Sequence, residues 1–256
     1  MIIHSYLTDG FYPWAEFYLE SLRRWHPNVP VLLSTRNLNE EQIKNLEKFH
    51  YVIVENEDLT YEKLAKRANL DLDKMMKLKN EVETVHVTDK NKIWKLMIAA
   101  DDRVKCMIDV VKRMEGKVDY VLHTDIDMYF RKRLDDLFEI ASNHDVSLRF
   151  RLKSKESRKI LISVQAYKPC KTAYDFLDRW VKYIDDITPP KRPLGYGQTS
   201  CYYAYRDFVN KIDWGKIPAR FATAQWGEKD VIWAANTMKG KTENLKTFRQ
   251  DFRKIS

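Results

Sequence analysis

Tyr120-Val121-Leu122-His123-Thr124-Asp125-Ile126-Asp127-Met128-Tyr129-Phe130 is the stretch on which the fold turns. Tyr120 to His123 is a short β-prone run of the kind that forms a central strand, and it climbs directly into two acids. Two positions apart on an extended segment places both carboxylates on one side and Ile126 on the other. At the end of an apolar strand two such groups repel and lose hydration unless something cationic is present. A second Asp-x-Asp, Asp71-Leu72-Asp73, lies in a polar, helix-prone stretch where surface solvation explains it. The plain alternative for Asp125 and Asp127 is a turn-forming or capping pair, since Asp is common at strand ends.

A divalent cation would relieve the repulsion. Hard oxygen donors suit Mg²⁺ or Mn²⁺, which keep part of their water and share other positions with phosphates. A carboxylate pair at the carboxyl end of a strand is therefore a candidate nucleotide-diphosphate site.

Working outward, Ile2, Ile3 and Tyr6 form a strand-like run ending at Thr8-Asp9-Gly10. Ala15, Tyr18, Leu19, Leu22 and Trp25 then recur at helical spacing until Pro27. Val29 to Ser34 and Tyr51 to Val54 read as strands around a helix from Glu40 to Phe49. Residues 58 to 89 are polar and helix-prone, an expected helical excursion or lid. The longest periodic stretch, Lys92 to Met114, carries Ile93, Leu96, Met97, Ala100, Val104, Met107, Ile108 and Val111 on one stripe, as a core-packing helix does. Beyond the acidic pair, Leu134 to Ala141 and Lys171 to Ile184 read as helices, and Val146 to Leu152 and Ile160 to Ala166 as strands. Thr188-Pro189-Pro190 breaks the chain. Strands alternating with helices predict an α/β fold with a mostly parallel sheet flanked by helices, and no repeat or second-domain boundary is visible. A single domain over 1–256 with a basic C-terminal extension over 236–256 is expected.

At 256 residues, 44% apolar and 32% charged, the chain is large enough for a full core and too hydrophobic for a disordered polymer. No run approaches the ~18 apolar residues that span a bilayer, and the first residues lack a signal-peptide pattern. Cys106, Cys170 and Cys201 form no paired motif, so neither a disulfide framework nor a zinc cluster is indicated. A cytoplasmic protein is expected, with peripheral membrane contact left open. The net charge of +8 favours phosphates, nucleic acid or an anionic surface as partners. The seven glycines build neither GxxxxGK[ST] nor GxGxxG, which removes P-loop nucleotidases and standard dinucleotide enzymes. There is no GxSxG and no HExxH, and the six histidines are scattered.

The sequence from Tyr120 to Phe138, in which an apolar strand delivers Asp-x-Asp and a helix with Leu134-Asp135-Asp136-Leu137-Phe138 follows, resembles the central signature of GT-A fold glycosyltransferases. The strand ending at Thr8-Asp9, the helix ending in Trp25-His26-Pro27 and the long helix before the acidic strand follow the same order. The resemblance implies a GT-A, Rossmann-like mixed sheet and a DxD-type, metal-dependent transferase using Mn²⁺ or Mg²⁺. It would move a sugar from a nucleotide-diphosphate donor to a glycan or other hydroxyl acceptor.

By resemblance, Tyr6, Thr8 and Asp9 border the base and ribose, Asp125 lies near ribose or metal, and Asp127 is the more direct metal ligand. The Asn-x-Gly expected where donor sugar and acceptor meet is absent; that strand reads Ile160-Leu161-Ile162-Ser163-Val164-Gln165-Ala166-Tyr167, leaving Gln165 as the polar candidate. An Asp-Gln pair at the start of a later helix is reduced to Gly197-Gln198, so Gln198 is the catalytic candidate, with helix capping as its alternative. The third metal ligand has no clean counterpart; Asn236 and Asp230 are the choices. Lys239 and Lys241 match a C-terminal Gly-Lys segment that folds over the diphosphate. Trp233 is a candidate stacking surface for sugar, against ordinary core packing. A basic run, Arg149, Arg151, Lys153, Lys155, Arg158 and Lys159 against Glu156, fits an acidic glycan, lipid headgroups or a solubilising loop.

Two other readings stay open. A metal-dependent nuclease or nucleotidyltransferase would need more acids converging on Asp125 and Asp127. A non-enzymatic basic module binding nucleic acid or an anionic membrane has no recognition signature to support it, and nucleic acid is not the expected partner.

Overall fold

Strands β1 (Ile2–Thr8), β2 (Val31–Arg36) and β3 (Val52–Glu57) each carry three Ile, Val or Leu residues and pair in parallel, with α1 (Tyr12–Trp25) and α2 (Glu40–Glu47) as their crossovers. The computed structural model that shows this describes residues 1–67, 90–151, 159–186, 196–224, 226–235 and 241–255. Pro13 opens α1, where a missing N–H costs nothing. The Ala15, Tyr18, Leu19 and Leu22 face of α1 is fully buried, as its spacing predicts. Asn39 and Gln42 form a reciprocal capping box at the start of α2.

The chain continues through α3 (Tyr61–Arg67), α4 (Lys90–Arg113), β4 (Val121–Thr124), β5 (Met128–Phe130), α5 (Asp135–Asn143), β6 (Val146–Phe150), β7 (Ile160–Tyr167) and α6 (Lys171–Asp185). It ends with α7 (Tyr196–Phe208), β8 (Trp214–Lys216), β9 (Ile232–Ala234) and α8 (Lys241–Lys254). Seven strands form one sheet in the order β3-β2-β1-β4-β7-β6-β8, and β5 pairs with β9 apart from it. All pairings in the large sheet are parallel except those of β7, which is antiparallel to both β4 and β6. Gly215 lets β8 lie against β6, because a Cβ there would come within 2.1 Å of Ser147 Oγ.

Alternate residues of the central strands feed two cores. Ile3, Leu7, Leu33 and Leu122 face α1, α2 and α5, whereas Ile2, Leu32 and Val121 face α4, α6 and α7. A third, aromatic cluster of Trp14, Phe17, Tyr129, Trp233 and Phe248 fastens α8 to α1 and the β5–β9 pair. Arg24 donates to the Phe252 carbonyl and Tyr129 to Asp251 across the same seam.

Most expected elements are present within a few residues. The exceptions are the three-residue strands β5, β8 and β9, too short to show a period, and the helices after residue 195, which the sequence does not announce. The expected excursion over 58–89 contains α3; its remainder, with Asp71 and Asp73, lies outside the described residues. Val104, Met107, Ile108 and Val111 of α4 are buried as expected, but Ala100 is exposed and Asp101 and Asp102 are buried instead. Asp102 tolerates burial because Arg36 pairs with it at 2.9 Å and the Tyr6 hydroxyl donates to it at 2.9 Å.

Candidate active site

The order of strands reverses between β1 and β4: β2 and β3 lie on one side of β1, and β4 with everything after it on the other. Crevices form at the carboxyl ends of strands at such a switch point. Pairing of β1 with β4 stops at His4 and His123, after which Ser5 Oγ donates to the Thr124 carbonyl. Beyond that point β1 runs on to Thr8, while the chain at Asp125 turns the other way and donates its N–H to the Ser163 carbonyl of β7 at 2.9 Å. The two strands part, and Asp125 stands where they part.

Asp125 is partly buried and ion-paired through Oδ1 to Arg103 of α4. The guanidinium supplies the positive charge that a carboxylate at this position requires. Asp127 is also partly buried, and its carbonyl accepts the N–H of Ala235 at 3.1 Å, where the β5–β9 ladder begins. The acidic pair thus joins the end of the large sheet to the start of the small one.

β7 is irregular beside the site. Its register against β6 slips between Leu148, opposite Gln165, and Arg149, opposite Leu161. Ile162, Ser163 and Val164 bulge out of the ladder, a device that re-aims side chains next to a site. Gln165 holds the bulge: its amide donates to the freed Ile162 carbonyl and accepts from the Tyr167 hydroxyl. Ser163 is 7% exposed, and its Oγ is buried without a hydrogen-bond partner beside Asp125. The first turn of α7 packs here as well; a Cβ on Gly197 would lie 3.4 Å from Ile162 Cδ1 and 4.0 Å from Val104 Cγ2. Gln198, the next residue, is half-buried in that turn.

Under the site the sheet carries a histidine pair. His4 and His123 face each other through their Nδ1 atoms at 3.0 Å, and His4 Nε2 reaches Ser34 Oγ at 3.1 Å. Such a contact needs one donor and one acceptor ring, hence neutral imidazoles. Burial, with nearby Arg113 and Arg36, lowers the His4 pKa to about 3, and burial with His4 and Arg103 lowers that of His123 well below the usual value.

The remaining expected residues are distributed as follows. Tyr6 is buried beneath Asp102 and Arg36, so its hydroxyl is committed. Thr8 is half-buried at the β1 end; Asp9 is exposed, its carboxylate accepting the Gly10 N–H at 2.8 Å. Gln165 is 1% exposed and spends its amide on the bulge. Trp233 is 6% exposed, stacks on Trp226 and donates to the Gly227 carbonyl, so it packs the aromatic cluster. Asp230 accepts from the Gly227 N–H at 2.7 Å in a turn. Asn236 and Lys239 lie outside the described residues, and Lys241 is the first residue of α8.

Arg103 and Ser163 are the site residues that sequence reasoning missed. Arg103 sits beside an apolar helical stripe that reads as scaffold, and a bulge leaves no periodic signal. A polar cavity of about 490 Å³ also opens over Ser34, Arg36, Glu57, Arg67, Cys106 and Arg113, between α3, α4 and strands β2 and β3. Arg36, Arg67 and Arg113 are each bound to a carboxylate there, so that cavity is lined by a closed ionic network.

Asp125 and Asp127 suit Mg²⁺ or Mn²⁺ in kind, being hard oxygen donors at a strand end. Among the described residues no three His, Cys, Asp or Glu side chains converge to hold a metal. The donor set therefore fits an ion bound by one or two carboxylates plus substrate phosphates, which is how Mg²⁺ is usually held.

No protein-family profile and no curated protein matches the chain in sequence. Solved structures do match in fold. A galactosyltransferase, LgtC, in complex with donor and acceptor sugar analogues aligns over 100% of both chains with TM-score 0.57 and 10% identity. The active-site mutant of LgtC in which a glutamine is replaced by glutamate aligns over 98% of this chain and 95% of that one, with TM-score 0.59 and 9% identity. Mouse xyloside xylosyltransferase 1 in its apo form aligns over 92% and 98%, with TM-score 0.53 and 11% identity. The chain has the GT-A fold, with its mixed, mostly parallel sheet flanked by helices.

Proposed function

We propose that the protein is a glycosyltransferase that moves a sugar from a nucleotide-diphosphate donor to a hydroxyl group of an acceptor. The observation that carries this is the position of Asp125 and Asp127 at the switch point of a GT-A sheet, beside an ion-paired arginine and an unpartnered buried hydroxyl. The similarity in fold to a galactosyltransferase seen with donor and acceptor sugar analogues supports it.

In this account Thr8 and Asp9 border the nucleoside. Asp127, with Asp125 beside it, holds Mg²⁺ or Mn²⁺, which as a Lewis acid would neutralise charge growing on the departing nucleoside diphosphate. Asn236, which follows Ala235 directly in the chain, is the proposed third ligand, and Lys239 and Lys241 the proposed phosphate partners. Arg103 fixes the Asp125 carboxylate through Oδ1. Ser163 Oγ offers the sugar a hydrogen-bonding group that no protein atom already occupies. Gln198 is placed to bind a sugar hydroxyl. LgtC has an active-site glutamine, and Gln198 is the proposed counterpart in this chain, next to Gly197, which packs on Ile162 of the bulge. Such contacts raise the rate only insofar as they tighten in the transition state.

Incubation with a panel of nucleotide-diphosphate sugars and Mn²⁺ tests the proposal. Release of the nucleoside diphosphate with one donor, above the protein-free rate, is expected. Intact donors throughout, together with no binding of any of them, would contradict it.

A further inference from the structure

Arg149 ends the regular part of β6, at the same end of the sheet as Asp125 and two strands away through β7. Neighbouring strands lie about 4.8 Å apart, so the backbones at the two positions are about 10 Å apart across the sheet. The Nε and Nη1 atoms of Arg149 are buried and have no hydrogen-bond partner. No carboxylate forms an ion pair with it among the described residues. Its charged neighbours are Arg151, which repels it, and Asp230, which attracts it while accepting the Gly227 N–H.

A half-buried guanidinium with two buried nitrogens left unpartnered is costly, because desolvation is repaid only by partners of good geometry. Four partly or fully buried arginines are paired with carboxylates, Arg36 with Asp102, Arg103 with Asp125, Arg131 with Asp251 and Arg179 with Asp207, while Arg23 and Arg249 each leave only Nε unmet. Next to Arg149 the same strand end adds Arg151, whose N–H donates to the Lys159 carbonyl, and Lys159, whose ammonium rests over Tyr202. Arg149 and Arg151 therefore lie together at the sheet end that carries Asp125, with Lys159 across the ladder from Arg151. The groups that match a planar guanidinium there are the oxygens of a phosphate or carboxylate.

We propose that Arg149 binds an anionic group, phosphate or carboxylate, carried by the acceptor, and so selects acidic acceptors over neutral ones. This rests on the glycosyltransferase reading for the word acceptor, but the anion site itself does not. Arg149 is a specificity-determining residue rather than a part of the donor site, and it leaves Asp125 and Asp127 to the nucleotide.

The test uses the full-length protein, its Arg149→Met and Arg149→Lys variants, and four probes. Glucose 6-phosphate, glucuronate and glucose are titrated by calorimetry or NMR, and uridine diphosphate with Mn²⁺ is titrated separately as a donor-side control. Phosphatidylglycerol vesicles form a further arm that separates a lipid-borne phosphate from a soluble one. Wild type is expected to bind at least one anionic probe at least tenfold more tightly than glucose. That preference should be lost in Arg149→Met and partly kept in Arg149→Lys, with uridine diphosphate binding unchanged in all three. Arg149→Met should melt no lower than wild type, since it removes an unpartnered buried charge, so loss of binding will not reflect unfolding. Anion binding that is absent, or indifferent to Arg149, overturns the proposal whatever the nucleotide does. Arg149-dependent anion binding without any nucleotide binding would retain the site and remove the transferase reading instead.

Discussion

His4, His26 and His123 are three buried imidazoles that the fold uses in their neutral form. His26 Nε2 accepts the Leu134 N–H at 2.8 Å, which a protonated ring cannot do, and burial lowers its pKa. His4 is displaced from 6.5 to about 3. Between those two values the unfolded chain binds the proton and the folded one does not, so stability is fully present above pH 6.5 and is lost as the pH falls through it. At about 1.4 kcal/mol per pH unit, His4 alone predicts a loss of about 2–3 kcal/mol between pH 6.5 and 4.5. Chemical denaturation across that range should show the decline, and His4→Gln should flatten it. An unchanged slope would contradict the neutral pair. Carboxylates whose pKa is lowered by ion pairs, such as Glu57 and Asp207, contribute to acid loss only further down. At this scale Asp125 and Asp127 were legible in the sequence because strand and acids are adjacent. Arg103 was not, since 22 residues separate it from Asp125 and only the packing of α4 on β4 brings them together.

Among the elements, β7 decides the shape of the site. Its eight residues read as an ordinary buried strand, and all eight are buried. Nothing in the run Ile160 to Tyr167 signals a bulge, because a register slip against β6 leaves no mark in the spacing of β7's own residues. Gln165, singled out from the sequence as a polar residue facing ligand, is the clamp that holds the slip in place. Gln165→Ala leaves the Ile162 carbonyl without its donor and the Tyr167 hydroxyl without its acceptor. At about 1–3 kcal/mol for each of the two buried groups left unmet, the variant should lose about 2–6 kcal/mol of stability. It should also weaken donor binding through Ser163, whereas Gln165→Glu should keep part of both. Urea denaturation together with donor titration checks this; a variant as stable as wild type would show that the clamp is idle. The long helix α4 teaches a related point. Its apolar stripe was visible at helical spacing, but Asp102, Cys106, Asp109 and Arg113 recur on a second, polar stripe that faces β2 and β3. A helix packed on a sheet whose strand ends are themselves polar buries two stripes, and a search for one apolar face finds only the first.

The whole molecule is a sheet that changes direction once. Alternating strands and helices up to Arg113 made the parallel half legible, and the acidic strand marked where it would stop. The antiparallel return of β7, the short strands β8 and β9 and the docking of α8 depend on contacts between distant residues, and short strands carry no period of their own. Residues 241–254 of the basic tail form a helix held on α1 through Phe248 and Phe252 and on the β5–β9 pair through the contacts of Phe248 with Tyr129 and Trp233. The result is one continuous path from Arg103 through Asp125 and Asp127 to β9, and the proposed chemistry depends on that path ending in a metal-bound nucleotide. Calorimetric titration of nucleoside diphosphates into wild type and Asp127→Asn, each with and without Mn²⁺, measures this directly. Binding to wild type is expected to need Mn²⁺ and to fall about a hundredfold in Asp127→Asn, at unchanged melting temperature. Equal affinity in the two proteins, or binding indifferent to Mn²⁺, would contradict it.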